Sequence, residues 1–237
     1  GISEPFDYEE LLGNLNNGST TIYSKRRKKM IPIDEILRQT DHRLDEDRER
    51  LIDNLMLICQ QLQANKLYWD VSENDRNTYV RDTLRAMDYI AMDQSLSGVS
   101  AGQKLPGELD LDIRKDPNIP WTIFEGLNLK GTGSAQMENW NTHLKKLLDN
   151  YNANGLPFLI LTSYVLCSKD RFVDICNEYT VHIKHYSPGI YTVQSMAAGV
   201  SSHRTYEPNQ FIQVRKCVYD CGGHMTNVYH FFVRIGA

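Results

Sequence analysis

Gly107-Glu108-Leu109-Asp110-Leu111-Asp112-Ile113 and, after a short turn, Trp121-Thr122-Ile123-Phe124-Glu125-Gly126-Leu127-Asn128-Leu129 decide how this chain is read. Both stretches have the apolar content of strands, and each carries acid where a buried strand is normally apolar. Burying a carboxylate is costly unless a cation or hydrogen-bond donors compensate it. Side chains along a strand alternate between the two faces of a sheet. That alternation sets Glu108, Asp110 and Asp112 on one face, with Leu109, Leu111 and Ile113 on the other. In the second strand Glu125 shares a face with Leu127 and Leu129, while Phe124, Gly126 and Asn128 point the other way. If Asp116-Pro117-Asn118 turns the chain so that the strands pair antiparallel, Asp110 and Glu125 approach each other. Hard oxygen ligands from two adjacent strands suit Mg2+ or Mn2+, which keep several waters for a phosphate substrate. Such an ion activates water and stabilises charge on a leaving oxygen.

Outward from this pair, residues 72–87 read as a helix, with Ser72 as N-cap and Val80, Leu84 and Met87 on its apolar side. Tyr89–Gln94 reads as a short strand, and the Gly- and Ser-rich Ser95–Pro106 as a loop. A helix over 136–151 stops near Asn154-Gly155, and the apolar run Leu156–Val165 reads as a central buried strand. A helix over 169–182 follows. The last third is β-rich, with strands over Gly189–Val193, Phe211–Tyr219 and Asn227–Ile235 and a hairpin at Gly222-Gly223.

Upstream, residues 32–66 read as a helix whose Leu44, Leu51, Leu55, Ile58 and Leu62 form an apolar stripe. That stripe packs within the chain or on a second copy or partner protein. Residues 1–30 read as a polar arm carrying the basic run Lys25–Lys29, a solvated loop or a phosphate contact. The expected organisation is an arm and helical extension over 1–68 and an α/β domain over 69–237.

The segment "GELDLDI", a turn, then "TIFEGLNL" resembles the core of the PD-(D/E)xK nuclease superfamily, with its restriction-endonuclease-like fold. The helix, three strands, helix, strand order over 72–165 is similar to that fold's common core. By position the resemblance makes Asp110 the metal-binding aspartate and Glu125 the acid of the second half-motif. It makes Glu73, on the preceding helix, an auxiliary acid, with Glu108 beside Asp110. One departure is plain: the position two after Glu125, where the motif lysine belongs, is Leu127. Two replacements are open, namely Lys130 at the strand end, or Lys146 with His143 at i, i+3 on the next helix. Lys146 with His143 is preferred, and the neighbouring Lys145 is expected to face solvent. "RNTYVRDTL" together with the Ser95–Pro106 loop and "GELD" also looks like an architecture of bacterial defence proteins. In the same reading Arg76, Asn77 and Arg81 face DNA phosphates or simply solvent.

The bulk numbers bound these readings. At 237 residues, with 41% apolar and 24% charged residues, the chain can bury a substantial core. A net charge of −4 argues against a surface that coats nucleic acid throughout but leaves room for a local basic groove. Five cysteines, an odd number at irregular spacing, fit reduced thiols in a cytosol better than a disulfide framework. Cys217, Cys221, His224 and His230 straddle the hairpin and read as sheet packing rather than a zinc site. No stretch is long and apolar enough to span a membrane, no secretory signal pattern opens the chain, and no P-loop is present.

The expectation is therefore an α/β, restriction-endonuclease-like mixed sheet flanked by helices, with an N-terminal helical extension and a β-rich C-terminal elaboration. Its expected chemistry is Mg2+- or Mn2+-dependent hydrolysis of DNA in the cytoplasm. The metal residues are Asp110, Glu125, Glu108 and Glu73, assisted by Lys146 and His143. The alternative is an inactive nuclease-like fold that binds DNA or protein.

Overall fold

The computed structural model describes residues 21–24, 29–93, 111–151, 156, 158–189, 191–198, 210–221 and 223–236. Glu108, Asp110, the 95–106 loop, Lys25–Lys28, Asn154-Gly155 and Gly222 lie outside the described residues. The chain divides into two compact units, Gly1–Ile52 and Asp53–Ala237. In the first, β1 (Thr21–Ser24) and β2 (Lys29–Pro32) pair antiparallel, with Ile22 opposite Ile31. The arm expected over 1–30 thus contains a strand, built from the Thr, Ile and Tyr residues that favour extended backbone. A long helix α1 (Ile33–Ala64) begins in the first unit and ends in the second.

The second unit continues through a 3-10 turn (Lys66–Tyr68), α2 (Glu73–Ala86), β3 (Ile90–Asp93), β4 (Leu111–Asp116) and β5 (Ile119–Leu129). Then come α3 (Ser134–Lys146) with a π turn at Leu147–Tyr151, β6 (Phe158–Leu166) and α4 (Lys169–His185). It closes with β7 (Thr192–Ala198), β8 (Ile212–Cys221) and β9 (His224–Ile235). Ser72 starts α2 with a capping box: its Oγ accepts from Asp75 N at 3.1 Å, and Asp75 Oδ2 accepts from Ser72 N at 3.1 Å. The strand expected over 189–193 starts instead at Thr192. Gly189 takes a left-handed φ of +59° in the turn that Tyr191 N closes onto Pro188 O at 3.0 Å.

Seven strands form one mixed sheet in the order β3-β4-β5-β6-β9-β8-β7. The β3-β4-β5 run is antiparallel, β5, β6 and β9 are mutually parallel neighbours, and β9-β8-β7 is antiparallel again. The tight turn at Pro117-Asn118 joins β4 to β5, and the ladder shifts register beside it, where Arg114 lies opposite Pro120. A bulge tolerates a proline that cannot donate to the ladder.

Helices α3 and α4 cover one face. Leu127, Leu161, Val165 and Phe232 meet Trp140, Leu144, Phe172 and Tyr179 there in one apolar cluster. Each such side chain stabilises the fold by roughly 1.5–3 kcal/mol when fully buried. Helix α2 lies on the opposite face, where Asn77 sits over Gly126 and Arg76 bonds Asn128. Leu55, Ile58 and Leu62 of α1 are fully buried. This half of the stripe packs within the chain.

Candidate active site

Glu125 is the most unusual residue of the sheet, a carboxylate only 1% exposed in the middle of β5. Alternation along β5 turns it toward α3, together with Ile123, Leu127 and Leu129. Two side-chain nitrogens from α3 meet one of its oxygens. His143 Nδ1 lies 2.6 Å from Glu125 Oε1, and Lys146 Nζ lies 3.4 Å from the same atom. With the carboxylate ionised, both nitrogens donate to it. Trp140, Leu144 and Leu147 anchor this segment in the core, which turns the intervening His143 and Lys146 to the sheet one helical turn apart. The second oxygen, Oε2, is buried and has no hydrogen-bond partner among the described residues. A buried carboxylate oxygen left bare carries a desolvation cost of about 1–3 kcal/mol. A hard divalent cation is the ligand chemistry that such an oxygen fits.

The other sequence candidates are distributed around this carboxylate. Asp110 and Glu108 lie outside the described residues; β4 begins at Leu111, which pairs with Phe124, the neighbour of Glu125. Glu73 sits in the first turn of α2, on the opposite side of the sheet from α3, and its Oε2 accepts from Asn128 N at 2.7 Å. Lys145 pairs with Asp149 at the surface. Lys130 is exposed just past β5, and its backbone N donates to Gln136 Oε1 at 2.8 Å. Leu127, at the motif-lysine position, is fully buried. Among the described residues, no group of three or more His, Cys, Asp or Glu is arranged to hold a metal ion.

Two expectations about the start of α2 are corrected. Arg76 and Asn77 face neither DNA nor solvent, since each is 1% exposed. Arg76 donates to Tyr68 O, Trp69 O and Asn128 Oδ1, each at 2.8 Å, and Asn77 Oδ1 accepts from Tyr164 Oη at 2.8 Å. The polar density there builds an internal network between α2 and the sheet. Arg81 is paired with Asp93 at 2.6 Å and with Asp82 at 2.8 Å.

Sequence reasoning placed Asp112 on the acidic face but assigned it no role. It is 5% exposed, with its Oδ2 held by Arg114 through Nε at 2.7 Å and Nη2 at 2.6 Å. Its Oδ1 is buried and has no hydrogen-bond partner among the described residues. The Asp-x-Arg spacing on one strand face was the available signal. Further along the sheet, His230 is buried with neither ring nitrogen hydrogen-bonded among the described residues, beside Trp140 at 5.5 Å and Tyr219 at 6.4 Å between ring centroids. Burial pushes its imidazole down to about 3, so it stays neutral. Burial likewise pushes the Cys217 thiol up to about 12, which is the behaviour of a core residue rather than a thiolate ligand.

No family model, no curated protein and no solved structure matches this chain. No described helix is long and apolar enough to cross a membrane.

Proposed function

We propose that this chain is a metal-dependent nuclease of the PD-(D/E)xK type that hydrolyses DNA phosphodiester bonds. The observation that carries the reading is Glu125, a buried carboxylate with one oxygen held by His143 and Lys146 and the other bare. The order α2-β3-β4-β5-α3-β6, with β3-β4-β5 antiparallel and β5-β6 parallel, supports it. A helix, three strands, a helix and a strand is the order that the resemblance implies.

In this reading Glu125 Oε2 and Asp110 hold Mg2+ or Mn2+, and Glu108 assists. The bound ion supplies Lewis acidity and a water of lowered pKa. His143 fixes the Glu125 carboxylate so that Oε2 cannot turn away. Lys146 lies beside this carboxylate with its side chain 13% exposed. It takes the place of the motif lysine, holding the attacking water and offsetting charge that develops on the phosphate. Glu73 positions the end of β5 through the Asn128 backbone. The resemblance of the "RNTYVRDTL" and "GELD" segments to bacterial defence proteins further points to an effector that cuts invading DNA.

A second reading, an inactive nuclease-like module that binds DNA or protein, is favoured by one observation: a buried leucine, Leu127, fills the motif-lysine position. Cleavage of plasmid and single-stranded DNA with Mg2+, Mn2+ or EDTA separates the two. The nuclease reading expects metal-dependent cutting that Glu125→Ala and Asp110→Ala each abolish while the protein stays folded. Wild-type cutting by either variant overturns it, and DNA binding that ignores metal, with no cutting, selects the inactive module.

A further inference from the structure

We propose that Asp112 is a further carboxylate of the same cation site, its Oδ1 sharing a divalent ion with Glu125 Oε2. The inference rests on the reading of Glu125 as a metal ligand and extends it to a residue that the motif does not contain.

The sheet register brings the two acids together. Asp112 lies directly opposite Ile123, and Glu125 is two residues beyond Ile123 on the same strand. Residues opposite each other, and residues two apart, share a face. Asp112 and Glu125 are therefore diagonal neighbours on the face that α3 covers, with Cβ atoms roughly 7 Å apart. Their two carboxyl arms can span that gap around one small ion.

Both carboxylates are also in the same chemical state. Each is more than nine-tenths buried. Each has one oxygen held by basic side chains, Arg114 for Asp112, and His143 with Lys146 for Glu125. Each has its second oxygen buried with no hydrogen-bond partner among the described residues. An ion pair that served only to join β4 to its turn would leave Asp112 Oδ1 desolvated with nothing gained. Two such oxygens on one sheet face, on adjacent strands, are compensated together by a single hard cation. Arg114 then acts as a positioning residue. It orients Asp112, and its own positive charge lowers the affinity of the site for the ion.

The test is Mn2+ binding to the full chain, followed by calorimetry and by the loss of the free-ion paramagnetic resonance signal. Melting without metal reports folding. Asp112→Asn and Glu125→Gln are each expected to weaken Mn2+ binding by about tenfold or more. Arg114→Gln is expected to tighten it about threefold by removing a repelling charge, and adding Asp112→Asn to that variant is expected to weaken it about tenfold again, a loss that a purely structural role for Asp112 does not produce. If Asp112→Asn binds Mn2+ like the wild type while Glu125→Gln loses it, the role of Asp112 is overturned and that of Glu125 stands. If the wild type binds no Mn2+ at millimolar concentration, both readings fall. Should Asp112→Asn not fold, the double variant of Asp112→Asn with Arg114→Gln decides alone, and binding equal to that of Arg114→Gln overturns the proposal.

Discussion

Asn77 Oδ1 occupies the space that a side chain at position 126 would need: a Cβ built on Gly126 would lie 2.2 Å from it. The glycine beside Glu125 thus gives α2 room to approach β5, and Tyr164 Oη holds the amide in place from β6. Gly126→Ala must displace Asn77 and break that bond. Overpacking of this kind costs roughly 1–3 kcal/mol, and urea unfolding of Gly126→Ala should show a lowered midpoint of that size.

Lys146 and Lys130 differ in what they touch, and activity should follow contact. Lys146→Met is expected to slow cleavage by about 10²–10³-fold. Lys130→Met, at an exposed position beyond β5, should leave the rate near that of the wild type. Single-turnover cleavage rates measured at saturating Mg2+ compare the two directly, and a larger loss from Lys130→Met assigns the motif-lysine role to the strand end.

Arg76 carries a stability prediction rather than a binding one. Its three nitrogens satisfy two backbone carbonyls and the Asn128 side chain inside the fold. Arg76→Met should cost roughly 3 kcal/mol, because those acceptors stay buried without donors. The salt dependence of DNA binding should be unchanged, since a residue that contacts no phosphate releases no counterion.

His230 makes the fold sensitive to acid. Its folded value of about 3 lies below the ordinary 6.5, so the unfolded chain takes up a proton that the folded chain refuses. The stabilisation is complete above pH 6.5 and is lost as pH falls toward 3. The loss reaches on the order of 3 kcal/mol by pH 4. His230→Phe should flatten this part of the stability profile, as measured by denaturant titrations between pH 7 and pH 4.

The local elements could be read without the structure because short-range geometry dictates them. The period of two along β5 is enough to put Glu125 with Leu127 on one face, and the period of 3.6 along α3 is enough to put His143 and Lys146 on one side. The Ser72 cap and the Asp116-Pro117-Asn118 turn depend on neighbours within a few residues. What those residues meet was decided elsewhere. Nothing within Arg76–Asn77 tells a solvated helix start from a buried network, because the answer lies in Asn128 and Tyr164, some fifty and ninety positions away. Only the sheet order, with β9 placed beside β6, buries His230. Only the packing of α3 over β5 settles which oxygen of Glu125 is held and which is left bare. The sequence determined which faces exist, since backbone geometry is local. The tertiary structure alone decided what covers each face, since burial and partnership arise between segments far apart in the chain.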